Sequence, residues 1–201
     1  MTSNIGSFTE TSSGSPITLT GLTNGVEYTF TVIATNALGD SVASSVSNAV
    51  TPATTPGAPA ITGVTRGNGQ AIISFTAPGS NGGSAITSYT VTSSGGQTAT
   101  GTASSITVTG LTNGTSYTFT ITATNDVGTS ASSTPSSAVT PATTPNAPTN
   151  IQATRGNEEA TITFDAGSDN GSTITLYTVT SSGGQTATGT SSGITLTGLT
   201  N

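Results

Sequence analysis

Few side chains in this sequence are able to do chemistry, and nearly all of them are carboxylates. There is no His and no Cys, and the only cations are Arg66 and Arg155. Imidazole bases, thiol nucleophiles, Ser-Lys pairs and Schiff bases are therefore missing from the inventory. Among the eight acidic residues, Glu158-Glu159 are adjacent, and Asp165 and Asp169 flank a Gly-Ser stretch. Two carboxylates can in principle serve glycoside hydrolysis, one as acid and the other as base or nucleophile. No cleft-forming insertion accompanies either pair, and adjacent acids in a turn are ordinarily just solvated. Asp165, Asp169 and Asn170 offer hard oxygens to calcium, but without the dense acidic spacing of a calcium loop. A polar turn is the better reading there. The expectation is a non-enzyme with no catalytic, cofactor-binding or metal residue.

Charge and composition narrow the classes further. A net charge of −6 with no Lys leaves no clustered cations for phosphate, so nucleic acid and anionic membrane are poor partners. Without Cys there are no disulfides and no thiolate metal sites. No apolar run approaches a membrane span, and the N-terminus shows no signal-peptide pattern. Asn113-Gly114-Thr115 and Asn170-Gly171-Ser172 match glycosylation acceptors, although Asn-Gly is equally ordinary turn chemistry.

The elements that carry these residues are legible from alternation. After the Asn113-Gly114 turn, Tyr117, Phe119, Ile121 and Ala123 alternate with Thr118, Thr120, Thr122 and Thr124, which predicts a strand with one buried and one wet face. Apolar residues make up only 31% of the chain, but the polar remainder is rich in Thr, a β-branched strand former. The same words recur. Gly21 to Gly110 is 89 residues, as is Arg66 to Arg155, while Tyr89 to Tyr177 is 88 because one loop is shorter by a residue. A period of this length fits one domain per repeat rather than a solenoid.

Residues 57–140 hold the only complete copy. Strands are expected at 60–65, 71–76, 87–93, 98–102, 105–110, 116–125 and 133–140, with turns between them. Seven short strands in this length is a β-sandwich count. Ile73, Phe75, Tyr89, Val91, Ile106, Val108, Leu111, Tyr117, Phe119 and Ile121 are the expected core. In residues 1–50, strands are expected at 15–20, 27–36 and, more weakly, 42–50. Pro-punctuated linkers run over 51–56 and 140–145. Ile61 and Ile151 are out of phase by one residue, which implies a bulge in one of the two copies.

The complete copy resembles a fibronectin type III domain, of the Thr-, Gly- and Asn-rich kind found in tandem in bacterial secreted proteins. The resemblance rests on Ala58-Pro59, on Ile73-Ser74-Phe75-Thr76-Ala77-Pro78, and on Tyr89-Thr90-Val91. It also rests on Leu111 six residues before Tyr117, and on Ala123-Thr124-Asn125 ahead of Gly128. Phe75 and Phe164 stand where the family usually has Trp, implying a smaller core. The resemblance implies an all-β chain of tandem immunoglobulin-like β-sandwiches. Residues 1–50 would be the C-terminal part of one domain, 57–140 a complete domain, and 146–201 the N-terminal part of a third. A Tyr at position 117 can bury its ring while its hydroxyl bonds backbone in the preceding corner. Arg66-Gly67-Asn68 and Arg155-Gly156-Asn157 resemble the integrin tripeptide of animal members. Asn replaces Asp, however, and both lie in the first turn, so they read as turns.

The resemblance implies a larger secreted or cell-surface parent protein and is nearly silent on function. The near-identity of Tyr89–Thr102 with Tyr177–Thr190 favours a non-catalytic spacer array whose partners are the neighbouring domains of that chain, since spacer copies need only keep folding. The rival is a protein- or glycan-binding adhesion module acting through loops or an exposed sheet edge. Phe8, the aromatic without an assigned core place, bears on that choice. The partial copies at 1–50 and 146–201 each lack strands, so fraying or association at both ends is expected.

Overall fold

The computed structural model describes residues 1–200; Asn201, which ends the recurring Gly-Leu-Thr-Asn and the expected third copy, lies outside the described residues. All the regular elements described are strands. Residues 1–50 carry only two-residue strands: β1 (Thr2–Ser3), β2 (Phe30–Thr31), β3 (Thr35–Asn36) and β4 (Gly39–Asp40). The middle of the chain forms β5 (Ala60–Arg66), β6 (Gln70–Thr76), β7 (Ile86–Ser93), β8 (Thr98–Gly101), β9 (Ser105–Thr109) and β10 (Phe119–Asn125). Beyond these lie β11 (Thr149–Arg155), β12 (Glu159–Asp165), β13 (Tyr177–Thr180), β14 (Thr186–Gly189) and β15 (Ile194–Thr197).

In the middle unit two antiparallel three-stranded sheets, ordered β5-β6-β9 and β10-β7-β8, face each other. The alternation read from the sequence is what closes them. In β6 and β10 every second side chain is buried, and all ten expected core residues are buried together with Ala71 and Ala123. Phe75 and Tyr89 meet across the sheets at 4.8 Å between ring centroids. Each large apolar side chain contributes about 1.5–3 kcal/mol when fully buried. The third unit repeats the plan, with sheets β11-β12-β15 and β13-β14 and a Phe164–Tyr177 pair at 4.7 Å. The register is irregular in both first strands, between Ile61 and Gly63 and between Thr149 and Gln152, where a bulge in one was expected.

Three expected strands are absent as such. Residues 15–20 form none. Their counterpart β9 hydrogen-bonds to β6, and residues 1–50 contain no counterpart of β6 to pair with. Residues 27–36 are strand only at β2 and β3. Residues 42–50 and 133–140 are not ladder strands either, and the reason is a serine pattern. Ser130, Ser133 and Ser136 donate their N–H groups to the carbonyls of Ala123, Ile121 and Phe119 at 2.8, 2.9 and 2.9 Å. Their Oγ atoms accept from the N–H groups of the same three residues at 3.0, 3.1 and 3.0 Å. Each hydroxyl then donates to the next carbonyl, of Ala131, Thr134 or Ser137, at 2.8 Å. A hydroxyl is donor and acceptor at once, so it replaces the backbone carbonyl that an ordinary ladder would supply. The segment therefore advances three residues for every two of β10. Ser41, Ser44 and Ser47 do the same against Ala34, Val32 and Phe30. The expected strand at 116–125 begins at Phe119, with Tyr117 held by an isolated bridge to Val139.

Candidate functional site: the joint between repeats

Asp165 and Asp169 each have one carboxylate oxygen in a local hydrogen bond. Asp165 Oδ2 accepts from Asn150 Nδ2 at 2.6 Å, and Asp169 Oδ1 accepts from the Gly171 N–H at 3.1 Å. Among the described residues no cluster of three or more His, Cys, Asp or Glu is placed to hold a metal. Glu158 stands at the counterpart of Gly69, and the two share a left-handed backbone, φ 57° and 62°. A non-Gly residue there costs roughly 1–2 kcal/mol. In both copies a leucine N–H donates to this turn, Leu111 to Gly69 O and Leu199 to Glu158 O, each at 2.9 Å. Arg66-Gly67-Asn68 is a structural turn too, since the Asn68 Oδ1 accepts from Asn113 Nδ2 at 2.8 Å.

The two acceptor-like asparagines are likewise in use. Asn113 Oδ1 accepts from the Gly69 N–H at 2.9 Å, tying the first turn to the corner before Tyr117. In that corner the Thr112 N–H donates to the Tyr117 hydroxyl at 3.1 Å, and the Thr23 N–H does the same to Tyr28. The Asn170 amide donates to Thr144 O at 2.8 Å and to Asn146 Oδ1 at 3.0 Å. Phe8 is half-buried against Tyr28, edge-on at 6.1 Å.

What does recur, bond for bond, is the joint between units. At the first joint the Gly25 N–H donates to Pro52 O (2.9 Å), the Thr54 N–H to Gly82 O (2.8 Å) and the Gly57 N–H to Ser80 O (3.0 Å). At the second, Gly114 donates to Pro141 O (3.0 Å), Thr143 to Asn170 O (3.2 Å) and Asn146 to Ser168 O (2.9 Å). The turn that receives the linker is closed identically. Ser80 Oγ and Asn81 Oδ1 accept from the Gly82 and Gly83 N–H groups at 3.1 and 2.9 Å. Ser168 Oγ and Asp169 Oδ1 accept from Asn170 and Gly171 at 3.2 and 3.1 Å. Asp169, a candidate calcium ligand by sequence, is thus the counterpart of the turn-closing Asn81.

The backbones meet at glycine. A Cβ on Gly83 would lie 2.4 Å from Gly25 N, and one on Gly171 would lie 2.6 Å from Gly114 N and 2.5 Å from Pro141 O. One side-chain difference is absorbed. A Cβ on Gly82 would lie 2.2 Å from Thr54 O, yet its counterpart is Asn170, and there the Thr143–Asn170 bond is longer than the Thr54–Gly82 bond. Around the joints, Asn125 Nδ2 donates to Thr54 O and Asn81 O at 2.8 and 2.9 Å, and the Ala142 N–H to Gly67 O at 3.1 Å. Sequence reasoning missed the joint. The available signal was Asn24-Gly25 and Asn113-Gly114 recurring in step with the prolines.

Two facing antiparallel sheets, a buried corner tyrosine and head-to-tail neighbours define an immunoglobulin-like sandwich in tandem. The family model of the fibronectin type III domain matches residues 56–139, and this unit is such a domain. Similar solved structures include the twitchin kinase region from C. elegans, with 29% identity over 43% of this chain and 17% of that one, TM-score 0.40. Domains A168-A170 from titin give 28% identity over 57% and 40%, TM-score 0.40. The chicken CNTN1 FN1-FN3 domains give 24% identity over 62% and 46%, TM-score 0.37. The chain thus spans less than half of each of these structures. No curated protein matches it. Among the described residues no helix is long and apolar enough to cross a membrane.

Proposed function

We propose that this chain is a non-catalytic spacer: consecutive repeats of a larger secreted or cell-surface protein, serving to hold other modules apart. Residues 1–50 and 146–201 are read as the C-terminal and N-terminal parts of repeats flanking the complete domain at 57–140. The observation that carries this reading is the joint, whose three linker hydrogen bonds are the same at both junctions although the loop between them differs by a residue. Linkers held on both sides by backbone bonds, the second with a fully buried Pro141, transmit orientation in a way that a free tether does not. The aromatics give a binding reading little support. They are spent in pairs or in the core: Phe8 with Tyr28, Tyr28 with Phe30, Phe75 with Tyr89, and Phe164 with Tyr177. Interfaces that bind tightly are anchored by exposed aromatics and Arg.

Immobilised full chain, offered to a glycan array and to candidate surface proteins, is the test. Absence of saturable binding is expected. Saturable micromolar binding that survives salt would replace the spacer by an adhesion module.

A further inference from the structure

The geometry points to the joint as a coupling surface with a sequence rule, and we propose that this rule makes the array stiff; the proposal rests on the spacer reading and deepens it. One side of the surface is the corner turn, Asn24-Gly25 or Asn113-Gly114, together with the carbonyl of the linker proline. The partner that fits it is the next repeat's turn, and its chemistry is specified: Gly at the contact, preceded by a Ser and an Asn or Asp whose side chains close the turn on its own N–H groups. Gly83 and Gly171 are needed there twice over. Their φ values are +87° and +90°, and their missing side chains leave the room in which the neighbour's Gly25 or Gly114 sits.

The two requirements can be separated, because the chain supplies matched controls. Gly96 and Gly184 carry φ values of +88° and +86°, yet a Cβ at either position would meet nothing within 4 Å. Gly184→Ala therefore imposes the backbone strain alone, whereas Gly171→Ala adds a collision with backbone atoms of the preceding unit. Flexible side-chain tips are not what would be struck. The obstacles are Pro141 O, Gly114 N and Gly114 Cα, three backbone atoms at once, whereas the side chain absorbed at Asn170 already lengthens the linker bond beside it from 2.8 to 3.2 Å. A repeat carrying any side chain at this place would swing away, converting a stiff joint into a hinge.

The full chain has no Cys, so two labels can be placed without background. Thr102→Cys and Ser191→Cys, both exposed, put spin labels on either side of the second joint. Pulsed electron resonance should give one narrow distance distribution in this background and in Gly184→Ala. In Gly171→Ala the distribution should shift its mean or at least double in width. Ser168→Ala, which removes a turn-closing hydroxyl without adding bulk, should broaden it as well. Amide exchange at Ile121 and Ile194 reports whether each unit stays folded. A broad distribution in the parent would overturn the proposal. So would equal behaviour of Gly171→Ala and Gly184→Ala, or unfolding of a unit by the first alone, which would place the glycine's role inside the unit. A ligand discovered for the chain would remove the spacer reading and leave these distances unchanged, so the two failures are distinct.

Discussion

Ser133→Ala is the sharpest test of the serine pattern. The substitution removes one oxygen that does two things: it accepts from the Ile121 N–H at 3.1 Å and donates to Thr134 O at 2.8 Å. Ile121 is fully buried and Ser133 is 8% exposed, so water does not replace the lost acceptor. A buried donor left unpaired costs about 1–3 kcal/mol, more than the net worth of an ordinary hydrogen bond. For a domain of this size each kcal/mol lowers the melting temperature by about 4–8 °C. A loss near 2 kcal/mol thus corresponds to roughly 8–16 °C. The control is Ser44→Ala, which removes the equivalent pair, the bond accepted from the Val32 N–H and the one donated to Ser45 O, at exposed positions. There water takes over, and the change should stay within about 0.5 kcal/mol. Denaturant unfolding followed residue by residue in amide spectra measures both variants in the full chain, and exchange of the Ile121 amide reads the orphaned donor directly. Equal, small losses in the two variants, with Ile121 still protected, would refute the claim that the hydroxyl stands in for a ladder carbonyl.

Tyr117→Phe should cost about 0.5–1.5 kcal/mol, since only the bond from the Thr112 N–H is lost while the ring stays buried; an unchanged unfolding midpoint would contradict the corner. The excised 57–141 segment is expected to show a strand spectrum by far-UV circular dichroism and one cooperative melt, and substantial helix would count against the assignment. Calorimetric titration with calcium should find no micromolar site, because among the described residues no cluster of three or more His, Cys, Asp or Glu is placed to hold a metal. Binding abolished by Asp169→Ala would show otherwise.

Alternation made the sandwich readable. Ile73 and Phe75, Tyr89 and Val91, and Phe119 and Ile121 fall on the buried faces because side chains in a strand point to opposite faces in turn. The same logic misread 133–140. Alternation tracks side-chain faces and says nothing of which atom satisfies a backbone N–H. The clue lay in Ser41, Ser44, Ser47 and Ser130, Ser133, Ser136, spaced by three in both copies. The joint was hidden for another reason. Gly171 and Gly184 look alike in sequence and share a left-handed φ, and only the approach of Gly114 separates a glycine kept for space from one kept for conformation. For Asp165 and Asp169 the sequence shows the oxygens but not the N–H groups bonded to them, which is why calcium had to be weighed there against the polar turn that the spacing favours.

The serine pattern and the joint answer one hazard of near-identical neighbours. Copies with matching strands invite edge pairing and exchange of elements, which ordinary edge strands leave possible. Along β10 that edge is closed. Its carbonyls and N–H groups are taken by Ser130, Ser133 and Ser136, so β10 offers no free ladder to a strand from another copy. Nor does the covering segment offer one. Its bonds repeat every three residues, out of step with the two-residue period of an incoming strand, and one carbonyl in each triplet is held by a serine hydroxyl. Pro135 adds a position with no N–H at all. This edge of the sandwich is therefore closed to pairing with another copy, and the contact seen between neighbouring units is the glycine-lined joint. In a chain with 5% charged residues, the bonds that recur at both joints join backbone to backbone.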